Sequence, residues 1–367
     1  MATGRPVVVK VGSTSLTTAD GQVDSGVVAR LAGEVAVLTA TGRAVVVVSS
    51  GAVTAGLGVL GVERPSDVRQ LQAVSAVGQI ELMREWGGAF ARHGLVIGQV
   101  LLTPYSFRHR PQYLQARSTL ERLSSMGVVP VVNENDAVAD DEIRFGDNDR
   151  LAGLVAHLVD AEVLVLLTDT PGVLTADPRR FADVSLIAEI VEVDRELQQM
   201  GGRASTQGSG GMASKLASAR IAAWTGVRTV IADARREGVV ADAVEGVADV
   251  GTIVHPHDRR LPARKLWIAF ATGSQGRVTV DAGATRALVE RNRSLLPAGV
   301  TGVEGSFDAG DAVEIVDPAG AVFAKGLVRV SAAELRQVAG RRTPDLPRSM
   351  SVETVHRDDL VVLPAGS

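Results

Sequence analysis

The run VVVKVGS at residues 7–13 is the stretch from which the fold can be worked out. Its first five positions are apolar except for Lys10, which is typical of a parallel-sheet strand buried on both faces. Similar short, nearly all-apolar runs recur through the first two-thirds of the chain. They lie at residues 44–49, 96–102, 128–132, 163–168 and 229–231.

Helical patterns separate these runs. Apolar side chains recur at helical spacing in two clear cases, Val28, Leu31, Val35 and Leu38, and then Leu151, Leu154, Val155 and Leu158. Strands that alternate with helices imply right-handed crossovers. We therefore predict an α/β fold, a three-layer αβα sandwich with a mostly parallel central sheet. Ligands bind such sheets beyond the carboxyl ends of the strands, so the loops after the strands are the places to search for a site.

The pattern changes after residue 255. Residues 257–262 are polar and rich in breakers, and short strand-like runs follow at 276–280, 312–316 and 325–330, separated by Asp-, Pro- and Gly-rich turns. We predict an α/β domain over 1–256, a linker over 257–274, and a small β-barrel domain with a C-terminal tail over 275–367.

Composition excludes several classes of protein. The 367 residues carry a net charge of -4, so the whole molecule is not an obvious polyanion binder. There is no cysteine, which rules out disulfides and thiolate metal sites. The most apolar stretch, 44–62, is interrupted by Ser, Thr and Gly, so we expect no membrane span. No apolar signal core precedes the first strand, and we expect a cytoplasmic protein.

Two loops that follow predicted strands carry small or charged residues. Lys10 ends the first strand and is followed by Gly12 and hydroxyl residues, which can place an ammonium and backbone N–H groups against phosphate oxygens. The alternative is a strand lysine that extends into a surface turn. Ser49-Ser50-Gly51 lets a ligand approach the backbone closely, although an ordinary strand-to-helix turn has the same composition.

The nearby sequence GLGVLG at residues 56–61 matches the dinucleotide-binding glycine pattern. That mechanism requires the first glycine at the strand end, where it opens a helix. Residues 50–55 intervene here, so we reject a dinucleotide site.

Two acidic-amide clusters bracket one loop after the fourth strand. They are Asn133-Glu134-Asn135-Asp136 and Gly146-Asp147-Asn148-Asp149. Carboxylates can bind an ammonium and amides can donate to a carboxylate, which is the polarity that an amino-acid zwitterion needs. An acid here can also hold a catalytic lysine. The alternatives are a solvated turn with Asp149 as a helix N-cap, or a calcium loop, whose EF-hand spacing is not met.

Two later segments can contact a nucleotide. Leu167-Thr168-Asp169 follows the strongest strand pattern and can form an adenine or ribose rim, although a plain loop fits equally well. Residues 208–215, GSGGMASK, place glycines and a lysine before an amphipathic helix, which suits phosphate binding. The segment fails the Walker A test, since Ser214 rather than glycine precedes Lys215. A flexible linker is the alternative.

Two lysines and glycine-rich backbone on separate loops suit in-line phosphoryl transfer, which needs mainly charge neutralisation and positioning. A carboxylate acceptor is already ionised near neutral pH and requires no general base. The lack of an obvious histidine-based machinery therefore counts little against this chemistry.

The ordered set of these motifs resembles the amino-acid kinase family, and within it the members that phosphorylate L-glutamate. The matching residues are Val9-Lys10-Val11-Gly12-Ser13, Ser49-Ser50-Gly51-Ala52, Asn133-Glu134-Asn135-Asp136, Gly146-Asp147-Asn148-Asp149, Leu167-Thr168-Asp169 and Gly210-Gly211-Met212-Ala213-Ser214-Lys215. The resemblance covers nearly the whole chain, and the C-terminal part resembles a PUA domain. Ser13 stands where threonine is common in the family, and Ala213-Ser214 where Ser-Thr is common.

The resemblance implies ATP- and Mg²⁺-dependent phosphorylation of the γ-carboxylate of L-glutamate to L-glutamyl 5-phosphate, the first step of proline biosynthesis. It implies that Lys10 and Lys215 stabilise the transferring phosphoryl group and that Asp149 holds both lysines. The implied glutamate-binding residues are Ser50, Asp136 and Asn148. The implied nucleotide-binding residues are Lys10, Gly12, Thr168, Asp169, Ser209, Gly210, Gly211, Met212, Ala213, Ser214 and Lys215. Such kinases are commonly inhibited by L-proline and form homo-oligomers, here a dimer or a tetramer.

Other activities stay open. N-acetylglutamate, aspartate and UMP are substrates of related kinases, although a carboxylate at Asp136 suits a free ammonium better than an acetylated amine. A different class of function is RNA binding by the C-terminal domain, for which a basic patch of Lys325, Arg336, Arg341 and Arg342 is a candidate. Solvated charge is the alternative for that patch.

Overall fold

The chain divides into two units, Met1–Arg260 and Leu261–Ser367. The structure is a computed structural model, and it describes residues 4–18, 21–138, 148–176, 178, 181, 183–193, 211–257, 261–271, 273–345 and 353–363.

The first unit is built on an eight-stranded sheet with the order β3-β4-β2-β1-β5-β7-β8-β6. Its strands are β1 (Val7–Val11), β2 (Val45–Ser49), β3 (Val96–Leu102), β4 (Val128–Glu134), β5 (Val163–Thr168), β6 (Glu189–Ile190), β7 (Arg228–Asp233) and β8 (Thr252–Val254). All pairings from β3 to β7 are parallel, and β8 runs antiparallel to β7. The predicted strands therefore form the parallel part of the sheet, and the antiparallel edge was not foreseen.

Helices connect these strands. Their bounds are α1 (Ser13–Leu16), α2 (Ser25–Ala40), α3 (Ala52–Leu60), α4 (Val68–Ala91), α5 (Pro104–Arg108), α6 (Arg110–Ser125), α7 (Asn148–Leu158), α8 (Met212–Trp224) and α9 (Val239–Glu245). A short 3₁₀ turn, Asp136–Val138, follows β4. The predicted apolar stripes of α2 and α7 are both buried.

The sheet is covered on both faces. One face carries a core made by alternate strand residues such as Val7, Val9 and Val11 together with side chains of α2, α4 and α9. Val8 and Leu164 point the other way because strand side chains alternate, and they are also fully buried. Helices α7 and α8 pack against each other and against β5. The predicted α/β sandwich with a mostly parallel sheet is confirmed.

Glycines bring α3 and α4 unusually close together. A Cβ on Gly56 would lie 2.0 Å from the carbonyl oxygen of Val74, and one on Gly78 would lie 1.8 Å from that of Ala52. Both positions therefore require glycine, because any side chain would collide with the backbone of the facing helix. Gly56 and Gly58 lie inside α3 and do not open it, so these glycines of the dinucleotide-like sequence serve helix packing.

The second unit contains a five-stranded mixed sheet with the order β10-β9-β11-β12-β13. The strands are β9 (Gly276–Val280), β10 (Val300–Gly305), β11 (Ala312–Val316), β12 (Val322–Val328) and β13 (Val355–Val362), with helices α10 (Ala263–Leu266), α11 (Ala282–Arg291) and α12 (Ala332–Val338). Short 3₁₀ turns lie at Pro297–Gly299 and Thr343–Asp345. Its separate core includes Val278, Leu288 and Leu335.

Two details differ from the sequence expectations. Part of the predicted linker 257–274 is helical, since α10 is followed by a π-helical turn, Trp267–Ala271, in which Ile268 packs with Val361 of β13. Lys325 is only 9% exposed within β12, whereas Arg336, Arg341 and Arg342 are exposed. Lys325 was therefore wrongly included in a solvent-facing basic patch.

Among the helices of the described residues, none combines the length and the apolar character needed to cross a bilayer.

Candidate active site

The predicted site residues converge at one edge of the large sheet. Lys10 is the penultimate residue of β1, Ser50 directly follows β2, and Asn133 lies near the end of β4. Thr168 is the last residue of β5. These four strands are consecutive neighbours and run parallel, so their carboxyl ends bring residues distant in sequence into one region.

Lys10, Asp149 and Lys215 form a buried ionic group that we call the lysine cluster. Lys10 Nζ lies 2.5 Å from Asp149 Oδ1, and Lys215 Nζ lies 3.1 Å from Asp149 Oδ2. The three residues are 4%, 2% and 6% exposed, respectively. Each carboxylate oxygen thus faces a different ammonium. Asp149 is in the first turn of α7 and therefore does not serve as its N-cap.

Close packing of α7 against α8 brings the cluster together. A Cβ on Gly153 would lie 2.8 Å from the carbonyl oxygen of Ser218, so the missing side chain permits the approach. Ser218 Oγ in turn donates a hydrogen bond of 2.5 Å to the backbone oxygen of Asp149. Lys215 lies one turn before Ser218 on α8 and therefore reaches the side chain of Asp149.

The cluster contains two cationic groups and one anionic group, all withdrawn from water. Its formal charge of about +1 suits an anionic ligand, and electrostatic attraction is stronger in a desolvated site than in water. Two ammoniums held by one carboxylate are also fixed in position. The arrangement can neutralise charge that moves between phosphate oxygens.

Beside the cluster lies a chain of amide side chains that we call the amide network, made of Gln79, Asn133 and Asn148. Asn148 Nδ2 donates to Asn133 Oδ1 at 3.0 Å, and Asn133 Nδ2 donates to Gln79 Oε1 at 2.7 Å. The backbone N–H of Glu134 also donates to Asn133 Oδ1 at 2.8 Å. Asn148 directly precedes Asp149, so the network and the lysine cluster meet at the start of α7.

Asp136 is a second buried carboxylate at this sheet edge. It is 7% exposed and accepts a 2.6 Å hydrogen bond from Ser75 Oγ of α4. In the described part of the chain, no lysine, arginine or histidine forms an ion pair with it. Burial raises the pKa of Asp136, and the hydrogen bond from Ser75 partly opposes that rise. A buried carboxylate without a cationic partner is suited to receive one from a ligand.

Ser50 occupies a tight turn between β2 and α3. Its N–H donates to Val11 O at 3.1 Å, which ties the turn to β1. Gly51 follows with a φ of 109°, a backbone conformation that favours glycine. Ser49 Oγ accepts a hydrogen bond of 2.9 Å from Trp86 Nε1, which holds the start of the turn against α4.

The proposed nucleotide residues are only partly described. Thr168 is buried and donates to exposed Asp169 at 3.2 Å, and Arg235 donates to the backbone oxygen of Asp169 at 2.9 Å. Gly12 lies next to the lysine cluster, since a Cβ on it would be 3.7 Å from Lys10 Nζ.

Gly211 precedes α8, and its first turn holds Met212, Ala213, Ser214 and Lys215. Ser209 and Gly210, which the sequence also assigned to the nucleotide, lie outside the described residues, as do Gly146 and Asp147 of the second acidic cluster.

Sequence reasoning missed three contacts of the site. Ser75 and Gln79 lie within the long helix α4, and Ser218 lies within α8. None of them is in a loop after a strand, where ligands of a parallel sheet are expected. The only signal for Ser75 is a polar residue that occupies a buried helix position, which requires a hydrogen-bonding partner.

No group of three or more His, Asp or Glu side chains that could hold a metal is present in the described ranges. Mg²⁺ commonly binds proteins through few carboxylates and through the phosphates of a bound nucleotide, so this finding is compatible with a nucleotide-bound ion.

The fold and the site define an amino acid kinase. The model of the amino acid kinase family matches residues 5–233, and the chain belongs to that family. A PUA domain model matches residues 276–350. Carbamate kinase from Giardia lamblia, solved bound to AMP-PNP, has the same fold with a TM-score of 0.51 and 16% identity, over 70% of this chain and 100% of that one.

Within the family, this chain is similar to proteins named glutamate 5-kinase. The glutamate 5-kinase of Mycobacterium tuberculosis is 47% identical over 366 residues, which cover 99% of this chain and 96% of that protein. The glutamate 5-kinase of Myxococcus xanthus is 47% identical over 369 residues, with 99% and 97% covered. The resemblance inferred from the motifs is therefore confirmed, and so is the C-terminal PUA domain.

Proposed function

We propose that this chain transfers the γ-phosphoryl group of ATP to the γ-carboxylate of L-glutamate and forms L-glutamyl 5-phosphate, the first step of proline biosynthesis. The observation that carries the proposal is that the lysine cluster meets the amide network at the start of α7, at the same edge of the sheet as Asp136. Near-full-length similarity to proteins named glutamate 5-kinase supports the same substrate.

The reaction is a direct in-line transfer. One γ-carboxylate oxygen of glutamate forms a bond to the γ-phosphorus of ATP, and the bond from that phosphorus to the β,γ-bridging oxygen breaks. ADP leaves with the electron pair of the broken bond. No proton has to be removed from the acceptor, because a glutamate carboxylate is ionised at neutral pH.

Lys10 and Lys215 stabilise the charge of the transferring group. Their ammoniums lie on opposite oxygens of Asp149, which fixes their separation and prevents mutual repulsion from moving them apart. Electrostatic groups that are already in place do not have to reorganise during the reaction, which is the main protein contribution in phosphoryl transfer.

Asp136, Asn148 and Ser50 bind the amino-acid part of glutamate. Asp136 supplies a negative charge for the α-ammonium, and Asn148 retains an amide N–H for a substrate carboxylate after its bond to Asn133. N-acetylglutamate has no charge at that nitrogen and would offer no cation to the buried Asp136 carboxylate, which is costly. The site therefore favours free glutamate.

ATP and Mg²⁺ are the proposed cofactors. Lys10, Gly12 and the start of α8 from Gly211 to Lys215 hold the phosphates, and Gly211 has no side chain to cap the helix. Thr168 and Asp169 contact the nucleoside, and Ser209 and Gly210, which lie outside the described residues, belong to the same proposed nucleotide-binding set. Mg²⁺, when bound, neutralises phosphate charge.

Trapping of the acyl phosphate tests this activity. Purified protein is incubated with ATP, Mg²⁺, hydroxylamine and L-glutamate, and hydroxamate formation is measured. We expect glutamate-dependent hydroxamate and much lower kcat/KM with N-acetylglutamate or L-aspartate. Absence of hydroxamate with glutamate, or a preference for N-acetylglutamate, would overturn the proposal. UMP yields no hydroxamate, so ADP release with UMP would reveal a nucleotide kinase instead.

Regulation, assembly and location complete the proposal. L-Proline is the end product of the proposed pathway and is the proposed feedback inhibitor, tested by adding it to the same assay. A homo-oligomer, dimer or tetramer, is tested by light scattering of the eluting protein. We place the enzyme in the cytoplasm, where ATP and glutamate are available, and cell fractionation tests that location.

A further inference from the structure

Helix α4 passes alongside the proposed glutamate site without being part of any loop motif. Ser75 and Gln79 are one turn apart, so they lie on the same face of the helix. Ser75 Oγ donates to Asp136 Oδ2 at 2.6 Å, and Gln79 Oε1 accepts from Asn133 Nδ2 at 2.7 Å. One face of α4 therefore contacts both Asp136 and the amide network.

The contact between Ser75 and Asp136 is withdrawn from water. Ser75 is 4% exposed and Asp136 is 7% exposed. A short hydrogen bond to a buried carboxylate is among the stronger ones in proteins and favours the ionised form. It also fixes the rotation of the carboxylate and leaves the lone pairs of Oδ1 for a ligand.

Gln79 acts at the far end of the amide network. Its Oε1 fixes the orientation of the Asn133 amide, because only the Nδ2 side of Asn133 can donate to it. The opposite side, Asn133 Oδ1, then faces Asn148 Nδ2 at 3.0 Å. The amide of Asn148 is thereby oriented through two hydrogen bonds that begin on α4.

Helix α4 is a rigid platform for these contacts. Its close glycine packing at Gly78 against Ala52 leaves no room for the two helices to shift toward each other. Ala52 follows the Ser50 turn directly, so the same packing links α4 to the third predicted glutamate contact.

We infer that Ser75 and Gln79 are positioning residues for the amino-acid substrate: Ser75 orients the carboxylate of Asp136, and Gln79 orients the amide of Asn148 through Asn133. This inference rests on the proposed function, since it gives both residues a role in glutamate binding. It assigns no chemistry to them, because neither touches the reacting atoms.

The first test is Ser75→Ala, which keeps a good helix former at this position. The KM for glutamate rises about 5- to 30-fold, less than full loss of a hydrogen bond to a charged group, because the Asp136 carboxylate itself is retained. The kcat and the KM for ATP stay within about twofold. Ser75→Thr retains the hydroxyl and restores most of the affinity. A glutamate KM that is unchanged in Ser75→Ala, or a Thr variant as weak as Ala, contradicts the inference.

A double-mutant cycle shows whether Ser75 acts through Asp136. In an Asp136→Asn background, Ser75→Ala is expected to raise the glutamate KM by less than about twofold, because no carboxylate remains to be positioned. An equal fold-change in both backgrounds means that Ser75 acts elsewhere and overturns the assignment.

Gln79→Ala is compared with Gln112→Ala, which removes an exposed amide from α6. We expect about a 3- to 10-fold rise in the glutamate KM for the first variant, as for one neutral hydrogen bond, and none for the second. Equal behaviour of the two overturns the role of Gln79.

Wild-type protein is assayed in parallel by hydroxamate formation, and every variant is checked by thermal melting. An active wild type with unaffected variants removes the positioning roles and leaves the proposed function standing. A folded wild type without glutamate-dependent hydroxamate removes both.

Discussion

The lysine cluster and the hydrogen-bonded pair of Ser75 and Asp136 each contain a buried carboxylate, but the two carboxylates have different partners. Asp149 lies between two ammoniums at 2.5 and 3.1 Å, so its charge is already compensated by the protein. Asp136 has a hydroxyl partner, Ser75, and no ion pair within the described ranges. The Asp149 carboxylate is therefore neutralised by protein ammoniums, whereas the charge of Asp136 is one that a cationic ligand group can neutralise.

Under the proposed function, we expect this difference to separate phosphoryl transfer from glutamate binding. A compensated, fixed charge group suits the transition state, where charge moves between phosphate oxygens. An uncompensated carboxylate lowers the stability of the free protein and recovers that energy when a cation binds. We therefore expect substitutions in the lysine cluster and at Asp136 to have different effects.

The largest expected effect is on stability, from Asp149→Asn. The substitution removes the buried carboxylate charge that lies against both ammoniums, and we expect the free energy of unfolding to fall by about 3–5 kcal/mol. Urea denaturation measures it. Asp160→Asn is the control, because it removes a carboxylate from an exposed pair with Arg5 and should cost less than ~1 kcal/mol. Equal midpoints for both variants would contradict the comparison.

Lys215→Met changes the lysine cluster with a smaller expected loss of stability than Asp149→Asn. Lys10 still pairs with Asp149, so that carboxylate keeps one of its two ammoniums. We expect kcat to fall about 10²- to 10³-fold, the effect of losing one preorganised charge-stabilising group. The glutamate KM should change little. Lys265→Met, in the second unit, is the control and should retain wild-type kcat.

Asp136→Asn is expected to change the glutamate KM rather than kcat. We expect the glutamate KM to rise about 10²-fold, because the α-ammonium loses its counter-ion, with a far smaller change in the ATP KM. Thermal stability at neutral pH should be equal or higher, since a buried charge has been removed. A variant in which both KM values rise equally would refute the role of Asp136 in glutamate binding.

The sequence pointed to the residues of the lysine cluster but not to the α4 side chains that contact Asp136 and Asn133. Lys10, Asp149 and Lys215 stand in loops or helix starts beside glycines, and parallel topology brings such positions together. Ser75 and Gln79 lie in the middle of α4, where only the three-dimensional packing of that helix shows what they face. The antiparallel strand β8 was missed because it is only three residues long.

A pH profile sharpens the comparison further. Burial raises the pKa of Asp136, with the Ser75 hydrogen bond acting in the opposite direction. Ammonium binding needs the carboxylate, so the glutamate KM should increase as pH falls, beginning where an ordinary aspartate is still ionised. Asp136→Asn should remove this dependence. Steady-state kinetics across the acidic range measures it, and a wild-type profile identical to that of the Asn variant would count against it.

The raised pKa of Asp136 also makes stability depend on pH. Lower pH weakens glutamate binding but favours the folded state. An acid whose pKa is raised by folding contributes stability that is fully present below its unfolded-state pKa and is lost as pH rises through the folded-state value. The stability advantage of Asp136→Asn should therefore be larger at neutral pH than at acidic pH.

The smallest effect is expected from Ser218→Ala. The variant loses the 2.5 Å hydrogen bond to the backbone oxygen of Asp149 and keeps both lysine contacts. We expect kcat to fall only about two- to fivefold, with an unchanged glutamate KM, as for one neutral hydrogen bond. A rise in the glutamate KM larger than the fall in kcat would mean that the lysine cluster and the glutamate-binding residues do not act separately.

Calorimetric titration of glutamate tests this separation most directly, with a saturating non-hydrolysable ATP analogue and Mg²⁺ present. The wild type and Lys215→Met should bind glutamate with similar Kd values, whereas Asp136→Asn should show binding weakened about 10²-fold. Unweakened binding by Asp136→Asn, or equal weakening in both variants, would contradict the assignment of substrate binding to one carboxylate and phosphoryl transfer to the other.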